Sequence, residues 1–121
     1  MAGRFLLYTD TDVDGPVVKA LRAAAWNVLR GIDAYPERTH DHIHFARAAE
    51  ERRVLVSNDI DMKVIAEAWF VEGRSFPGLV WWPRSHYAVM SPGDFVAAFE
   101  EVAGQDEPFA GYPIIHIKPK G

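Results

Sequence analysis

The stretch VLVSNDIDM, from Val54 to Met62, constrains this chain most. Its apolar first half is β-branched and aliphatic, which is typical of a buried strand. Asp59 and Asp61 then follow the strand one residue apart. In a parallel α/β sheet the carboxyl ends of the strands are where ligands bind, so these acids are predicted to lie at a functional edge.

A second stretch near the N-terminus has the same build. Arg4 to Thr9 (RFLLYT) reads as a short apolar strand, and Asp10 and Asp12 follow it directly. Two strands that end in this way would bring four carboxylates to one edge of a sheet. Like charges so close repel each other unless a cation lies among them, so the sequence predicts a site for a hard metal ion.

Helical patterns alternate with short apolar stretches along the rest of the chain. The predicted helices are Val17–Ala25, a helix from Asp41 to the charged run EERR, Asp61–Phe70, and one that Ser91 caps. The further predicted strands are Trp26–Leu29, Gly78–Trp82 and Tyr112–Lys118, and residues 31–40 are predicted to form a loop. Pro113 favours an edge position for the last strand. This alternation predicts one α/β domain over residues 1–121, a three-layer sandwich with a mainly parallel sheet.

Composition excludes several classes of protein. The 121 residues include no cysteine, so neither disulfides nor a thiolate zinc site are available. The net charge is −4, so no broad basic face is expected, and a nucleic-acid partner would need a local basic patch or a bridging metal. No apolar run reaches the length of a membrane span and no signal-peptide pattern is present. We therefore expect a cytoplasmic protein without a membrane partner.

Each acid also has a structural interpretation. Asp61 is suited to capping the helix that follows it, Asp12 to a turn, and Asp14 to a helix cap. Asp41 suits the first turn of a helix, where it favours the helix dipole, and would serve a metal site only if that helix starts at the same edge. Asp10 follows its strand immediately, which favours a functional role.

Two groups of basic side chains also have both a functional and a structural interpretation. His40, His42 and His44 are closely spaced, and the first and last lie four residues apart, as two zinc ligands on a helix would. No third ligand is identified and a polar loop adjoins the cluster, so a solvated helix face is the favoured interpretation. Arg74, Arg84 and His86 flank the ends of the predicted fourth strand, where phosphate binding is one interpretation and ordinary surface charge is the favoured one.

The segments FLLYTDTDVDGPVVKAL and DHIHFARAAEERRVLVSNDIDM resemble the PIN-like domains of a small bacterial family of unknown function. That family's pattern is a strand ending in Asp, a helix opening with Asp, and a strand ending in Thr-x-Asp-x-Asp-Phe. The resemblance covers about the first 82 residues, and the best matches are Asp10, Asp41, Asp59 and Asp61. This chain departs from the pattern with Ser57 in place of Thr, Met62 in place of Phe, and Thr11-Asp12 where Glu-Asn is common.

The resemblance implies a metal-dependent ribonuclease, since PIN domains as a class have this activity and are often toxins held by an antitoxin. It implies Mg²⁺ or Mn²⁺ as the cofactor and RNA as the substrate. The metal ligands would come from Asp10, Asp12, Asp59 and Asp61, and the catalytic set from Asp10, Asp41, Asp59 and Asp61. The acids would position the metal rather than attack the substrate.

Five large aromatic residues lie close together late in the chain. They are Trp69, Phe70, Trp81, Trp82 and Tyr87. Such a cluster either belongs to the core or forms an interface with a second copy or an antitoxin.

Two other classes of protein share some of these features. In haloacid-dehalogenase-like phosphatases Asp10 would be a nucleophile and Asp12 the general acid/base, but the later acidic pair that those enzymes need is missing. In a phosphoacceptor receiver domain Asp59 would accept the phosphoryl group and Lys118 would follow the last strand. Receivers end their fourth strand in Ser or Thr, whereas this predicted strand ends in two tryptophans.

Overall fold

The computed structural model of the chain describes residues 3–34 and 40–119. The strands are β1 (Leu7–Thr9), β2 (Val28–Arg30), β3 (Val54–Ser57), β4 (Leu79–Trp81) and β5 (Ile114–His116). The α-helices are α1 (Gly15–Ala23), α2 (Gly31–Ala34), α3 (Asp41–Glu50), α4 (Ile60–Val71) and α5 (Pro92–Ala103). A 3-10 helix, Arg84–Ala88, lies between β4 and α5.

The five strands form one parallel sheet in the order β2-β1-β3-β4-β5. This confirms the predicted α/β class and the mainly parallel sheet. The strands that precede the acids, β1 and β3, are neighbours, and Thr9 pairs with Val56. Their carboxyl ends therefore meet at one edge, as predicted.

Helices cover both faces of the sheet and complete three layers. Side chains alternate along β3, so Val54 and Val56 join the core cluster that includes α1 and α5, while Leu55 joins the cluster that includes α3 and α4. β5 is an edge strand, which the sequence predicted from Pro113. Ser91 caps α5 through a capping box with Asp94, which is also as predicted.

One helix lies on an unexpected face. The connections β3–α4–β4 and β4–α5–β5 advance across the sheet in the same direction, yet α4 packs beside α3 and α5 packs beside α1 on the opposite face. The two connections therefore have opposite hands, although crossovers between parallel strands almost always share one hand. As a result, β4 and β5 contact α4 on that face, and α5 adds no cover there.

The predicted loop at residues 31–40 is wrong at its start, because Gly31–Ala34 forms the short helix α2; residues 35–39 lie outside the described part of the chain. Gly31 lies so close to α3 and β1 that an added Cβ would stand 3.0 Å from Nδ1 of His44 and 3.1 Å from the carbonyl oxygen of Thr9. The residue lacks a side chain where packing leaves no room for one. Its role here is close packing rather than the flexibility that a loop needs.

The late aromatic residues belong largely to the core. Trp82 is fully buried and packs against Phe95 and Phe99, while Trp69 and Trp81 are half-buried. Phe70 is the exposed member of the cluster. Within the described residues, no helix is both long enough and apolar enough to span a membrane.

Candidate metal site

Asp10 lies at the end of β1, where it is almost completely buried. One carboxylate oxygen accepts the backbone N–H of Asp12 at 2.7 Å, and the other accepts the hydroxyl of Ser57 at 2.5 Å. Burial raises the pKa of Asp10, these two hydrogen bonds lower it, and the charges of Asp12 and Asp59 raise it further. Asp10 thus fixes the loop after β1 against the end of β3.

Ser57 connects the two acidic loops. Its hydroxyl donates to Asp10 and accepts the backbone N–H of Asp59 at 3.0 Å. The sequence showed Ser57 only as a departure from the PIN-like pattern. Its role as a bridge between Asp10 and the backbone of Asp59 was not predicted. The available signal was a small hydroxyl residue between an apolar strand and an acid, a position suited to such a bond.

Asp59 is the N-cap of α4. Its side chain accepts the backbone N–H of Asp61 at 2.9 Å, and its own backbone carbonyl accepts the indole N–H of Trp81 at 3.0 Å. The capping role that sequence reasoning considered for Asp61 therefore belongs to Asp59. Asp61 lies in the first turn with an exposed side chain.

Asp41 begins α3, and α3 starts at the same edge of the sheet as the other acids. Asp41, Asp59 and Asp61 each offer a carboxylate oxygen, and these oxygens all lie within 4.8 Å of one another. A role for Asp41 at a metal site was expected only if its helix began at the edge that carries the other acids, and α3 does begin there. We call these three residues the acidic triad.

Mutual repulsion is evident at Asp41. Burial, followed by the charges of Asp59, Asp10, Asp12 and Asp61, raises its pKa to about 6. Asp41 is therefore within electrostatic range of the other four acids. A divalent cation among them would remove this repulsion, and carboxylate oxygens are the ligands that hard cations prefer.

Asp12 and Asp14 belong to the loop after β1. The side-chain amide of Asn58 donates to the carbonyl of Asp12 at 3.0 Å and to the hydroxyl of Tyr87 at 2.7 Å. Tyr87 in turn accepts the backbone N–H of Asp14. Asp14 occupies the N-cap position of α1 but makes no capping bond with its side chain.

The histidines do not converge. Nδ1 of His44 lies 2.7 Å from the hydroxyl of Tyr8 inside the core, whereas the rings of His40 and His42 stack on the surface. Burial lowers the pKa of His44, and the charge of Asp10 opposes that effect. In the part of the chain that the structure describes, no cluster of three possible metal ligands includes a histidine.

The structure thus brings all five predicted acids to one edge but groups them unequally. Asp59 and Asp61 join Asp41 in the acidic triad, and Asp10 and Asp12 lie outside it. Direct ligation by Asp10 and Asp12 stays a prediction. The hydrogen bonds of Asp10 favour a supporting role.

Comparison with protein-family models, curated proteins and solved structures gives no significant match. The geometry of the site must therefore support any functional conclusion.

We expect the metal-free protein to lose stability through Asp41 as the pH rises from about 4 to about 6. The pKa of Asp41 is about 6 in the folded protein against 3.8 for a free aspartate, so the folded state binds the proton more tightly and its advantage disappears as that proton leaves. Urea unfolding of wild type and Asp41→Asn across this pH range, in chelator, isolates the effect. The variant should gain stability relative to wild type as the pH rises, and Asp14→Asn should not. Parallel pH curves for wild type and Asp41→Asn would contradict the account.

Proposed function

We propose that this protein is a metal-dependent ribonuclease of the PIN-like type that binds Mg²⁺ or Mn²⁺ at the acidic triad. The observation that carries the proposal is the convergence of Asp41, Asp59 and Asp61 within 4.8 Å at the carboxyl edge of a parallel sheet. The raised pKa of Asp41, which comes first from burial and then from the charges of the neighbouring acids, supports it. Such a cluster costs folding energy unless a cation compensates for it.

The donors fit a hard cation. All three are carboxylates, the chain has no cysteine, and the described histidines lie outside the cluster. When bound, a divalent cation supplies Lewis acidity that activates water and neutralises charge on a phosphate. Asp59 is held for this role from both sides, because its side chain caps α4 and its carbonyl accepts a bond from Trp81.

The supporting residues would keep the triad in place. Asp10, through Ser57, holds the backbone of Asp59, and through its other oxygen it holds the loop that carries Asp12. In this proposal Asp10 is a positioning residue. Asp12 is exposed beside the site, where its carboxylate would add negative charge that favours a cation.

The phosphatase alternative is less well supported. Its nucleophile would be Asp10, but both carboxylate oxygens of Asp10 already accept hydrogen bonds and the residue is only 4% exposed. A covalent nucleophile needs an oxygen that can reach the substrate.

The receiver alternative has one observation in its favour. The strand order β2-β1-β3-β4-β5 is the one found in flavodoxin-like folds, and Asp59 follows the central strand β3. Two features count against it: β4 ends in Trp81, and α5 lies on the opposite face from α4, whereas uniformly handed connections would place both on one face. The ribonuclease proposal does not depend on which residue ends β4 or on which face α5 covers.

Mn²⁺ should stabilise the protein, because a ligand that binds only the folded state stabilises it by mass action. At about a hundredfold over the dissociation constant the gain is about 2.7 kcal/mol, or several degrees in melting temperature. Asp59→Asn keeps the helix cap but removes one charge. It should therefore raise the stability of the metal-free protein slightly, abolish the Mn²⁺ shift and abolish cleavage of single-stranded RNA.

Asp14→Asn is the matched control, since Asp14 lies at the same edge outside the triad, and it should keep both the shift and the cleavage. An unchanged Mn²⁺ shift in Asp59→Asn would remove the metal site from the proposal. A normal shift without cleavage, together with phosphorylation of Asp59 by acetyl phosphate, would favour the receiver alternative.

The toxin role implies a partner surface, and α4 offers a candidate. Ile60, Val64 and Val71 are 55%, 59% and 82% exposed, and with Ala68 they follow one stripe along the helix. Ile60 adjoins Asp59 and Asp61, so a protein that covered the stripe would also cover the acidic triad. This arrangement supports an antitoxin or a second copy as the occupant.

Light scattering on the protein alone separates the two occupants. A homodimer through the stripe should give twice the monomer mass and should dissociate in Val64→Glu, while Glu72→Lys, which changes a charge beside the stripe, should remain dimeric. A clean monomer at high concentration would exclude the homodimer.

A further inference from the structure

A groove adjoins the acidic triad at the carboxyl edge of the sheet. Its volume is about 490 Å³. Asp12 and Asp59 line the side near β1 and β3, Trp81 and Ile60 line its wall, and Arg84 lines the side beyond β4. The groove therefore runs from an acidic end to a basic end.

Lys63 adds positive charge beside Trp81 on the β4–β5 side. Its ammonium lies 5.0 Å from the centroid of the Trp81 ring and 3.9 Å from a carboxylate oxygen of Glu67. The ring of His116 lies 5.1 Å from the Trp81 ring, and burial, followed by the charges of Lys63 and Lys118, lowers the pKa of His116, which favours its neutral form. The cations Lys63, Lys118 and Arg84 outnumber the carboxylate of Glu67 here, which makes a local basic patch in a protein whose net charge is −4.

The fold explains why this patch is open. Trp81 and His116 are paired in the sheet and project on the α4 face, and α5, which would otherwise cover that face beside α4, lies on the opposite one. Trp81 therefore stays half-buried and His116 exposed. The unusual position of α5 creates a surface beside the acidic triad.

Arg84 has no structural partner that would explain it. It is exposed, and it forms no hydrogen bond or ion pair with the residues that the structure describes. Its guanidinium is thus available to a ligand. Guanidinium groups bind phosphate oxygens with good geometry and charge.

We propose that this groove binds the segment of a single-stranded RNA next to the phosphate held at the acidic triad. A base lies against Trp81 and Ile60, and the following phosphate lies against Arg84. The inference rests on the proposed ribonuclease function and names the side on which the substrate leaves the metal site. Charge complementarity supports this occupant, because a cation at the triad and the basic patch place positive charge at both ends of an aromatic wall.

The test is the salt dependence of RNA binding. A fluorescein-labelled single-stranded RNA of about ten nucleotides, a length that one small domain covers, is titrated with protein in Ca²⁺ and followed by fluorescence anisotropy. A gel confirms that the RNA stays intact. Arg84→Gln should weaken binding about 3- to 10-fold at low salt. It should also reduce the slope of log affinity against log salt concentration by about 0.7, the value for one lost phosphate contact on a single strand.

Arg74→Gln is the matched control. It removes an exposed arginine from the loop before β4, at the opposite edge of the sheet, and should leave affinity and slope unchanged. Melting curves verify that each variant is folded. Wild-type affinity and slope in Arg84→Gln would overturn the inference, as would a wild-type protein that does not bind the RNA.

A separate cleavage assay in Mn²⁺ distinguishes the two proposals. If wild type cleaves RNA and Arg84→Gln binds and cleaves equally well, the groove is wrong and the ribonuclease proposal stands. If Arg84→Gln loses binding as expected and wild type never cleaves, the groove is supported and the proposed activity is wrong.

Discussion

Repulsion among carboxylates at one edge of the sheet is the constraint on which this site depends. β1 and β3 are neighbours, so their acids meet at one edge, and α3 adds Asp41 to them. The fold holds the group together with bonds that leave the triad partly exposed to solvent. Asp10 is buried and bonded to Ser57, Asp59 caps α4, and Trp81 fixes the backbone of Asp59. These contacts oppose a repulsion that a cation would relieve.

The sequence predicted the part of this arrangement that depends on local pattern. Apolar strands followed by acids placed Asp10 and Asp59 at one edge, because parallel strands end on the same side of a sheet. The sequence could not show that α3 would bring Asp41 within 4.8 Å of Asp59 and Asp61, since that depends on how a helix packs after residues 31–40. It also missed Ser57, whose role requires knowledge of the neighbouring strand.

The sequence could not predict the position of α5, and the reason is a different one. Periodicity gives the buried side of a helix but not the face of the sheet that it covers, and the general preference for one hand would have placed α5 beside α4. With α5 beside α1, Trp81 and His116 stay partly exposed on the α4 face, whereas α4 covers Leu79 and Ile114. The acidic triad and the basic patch around Trp81 therefore share one edge of the sheet.

The central claim is that the acidic triad binds a divalent cation, and an anomalous diffraction map of crystals soaked in Mn²⁺ tests it most directly. The account predicts a peak with carboxylate oxygens of Asp41, Asp59 and Asp61 at about 2.0 to 2.6 Å. The peak should be missing from crystals of Asp59→Asn treated in the same way. A map with no peak at the triad at saturating Mn²⁺, or with the ion bound only elsewhere, would contradict the account.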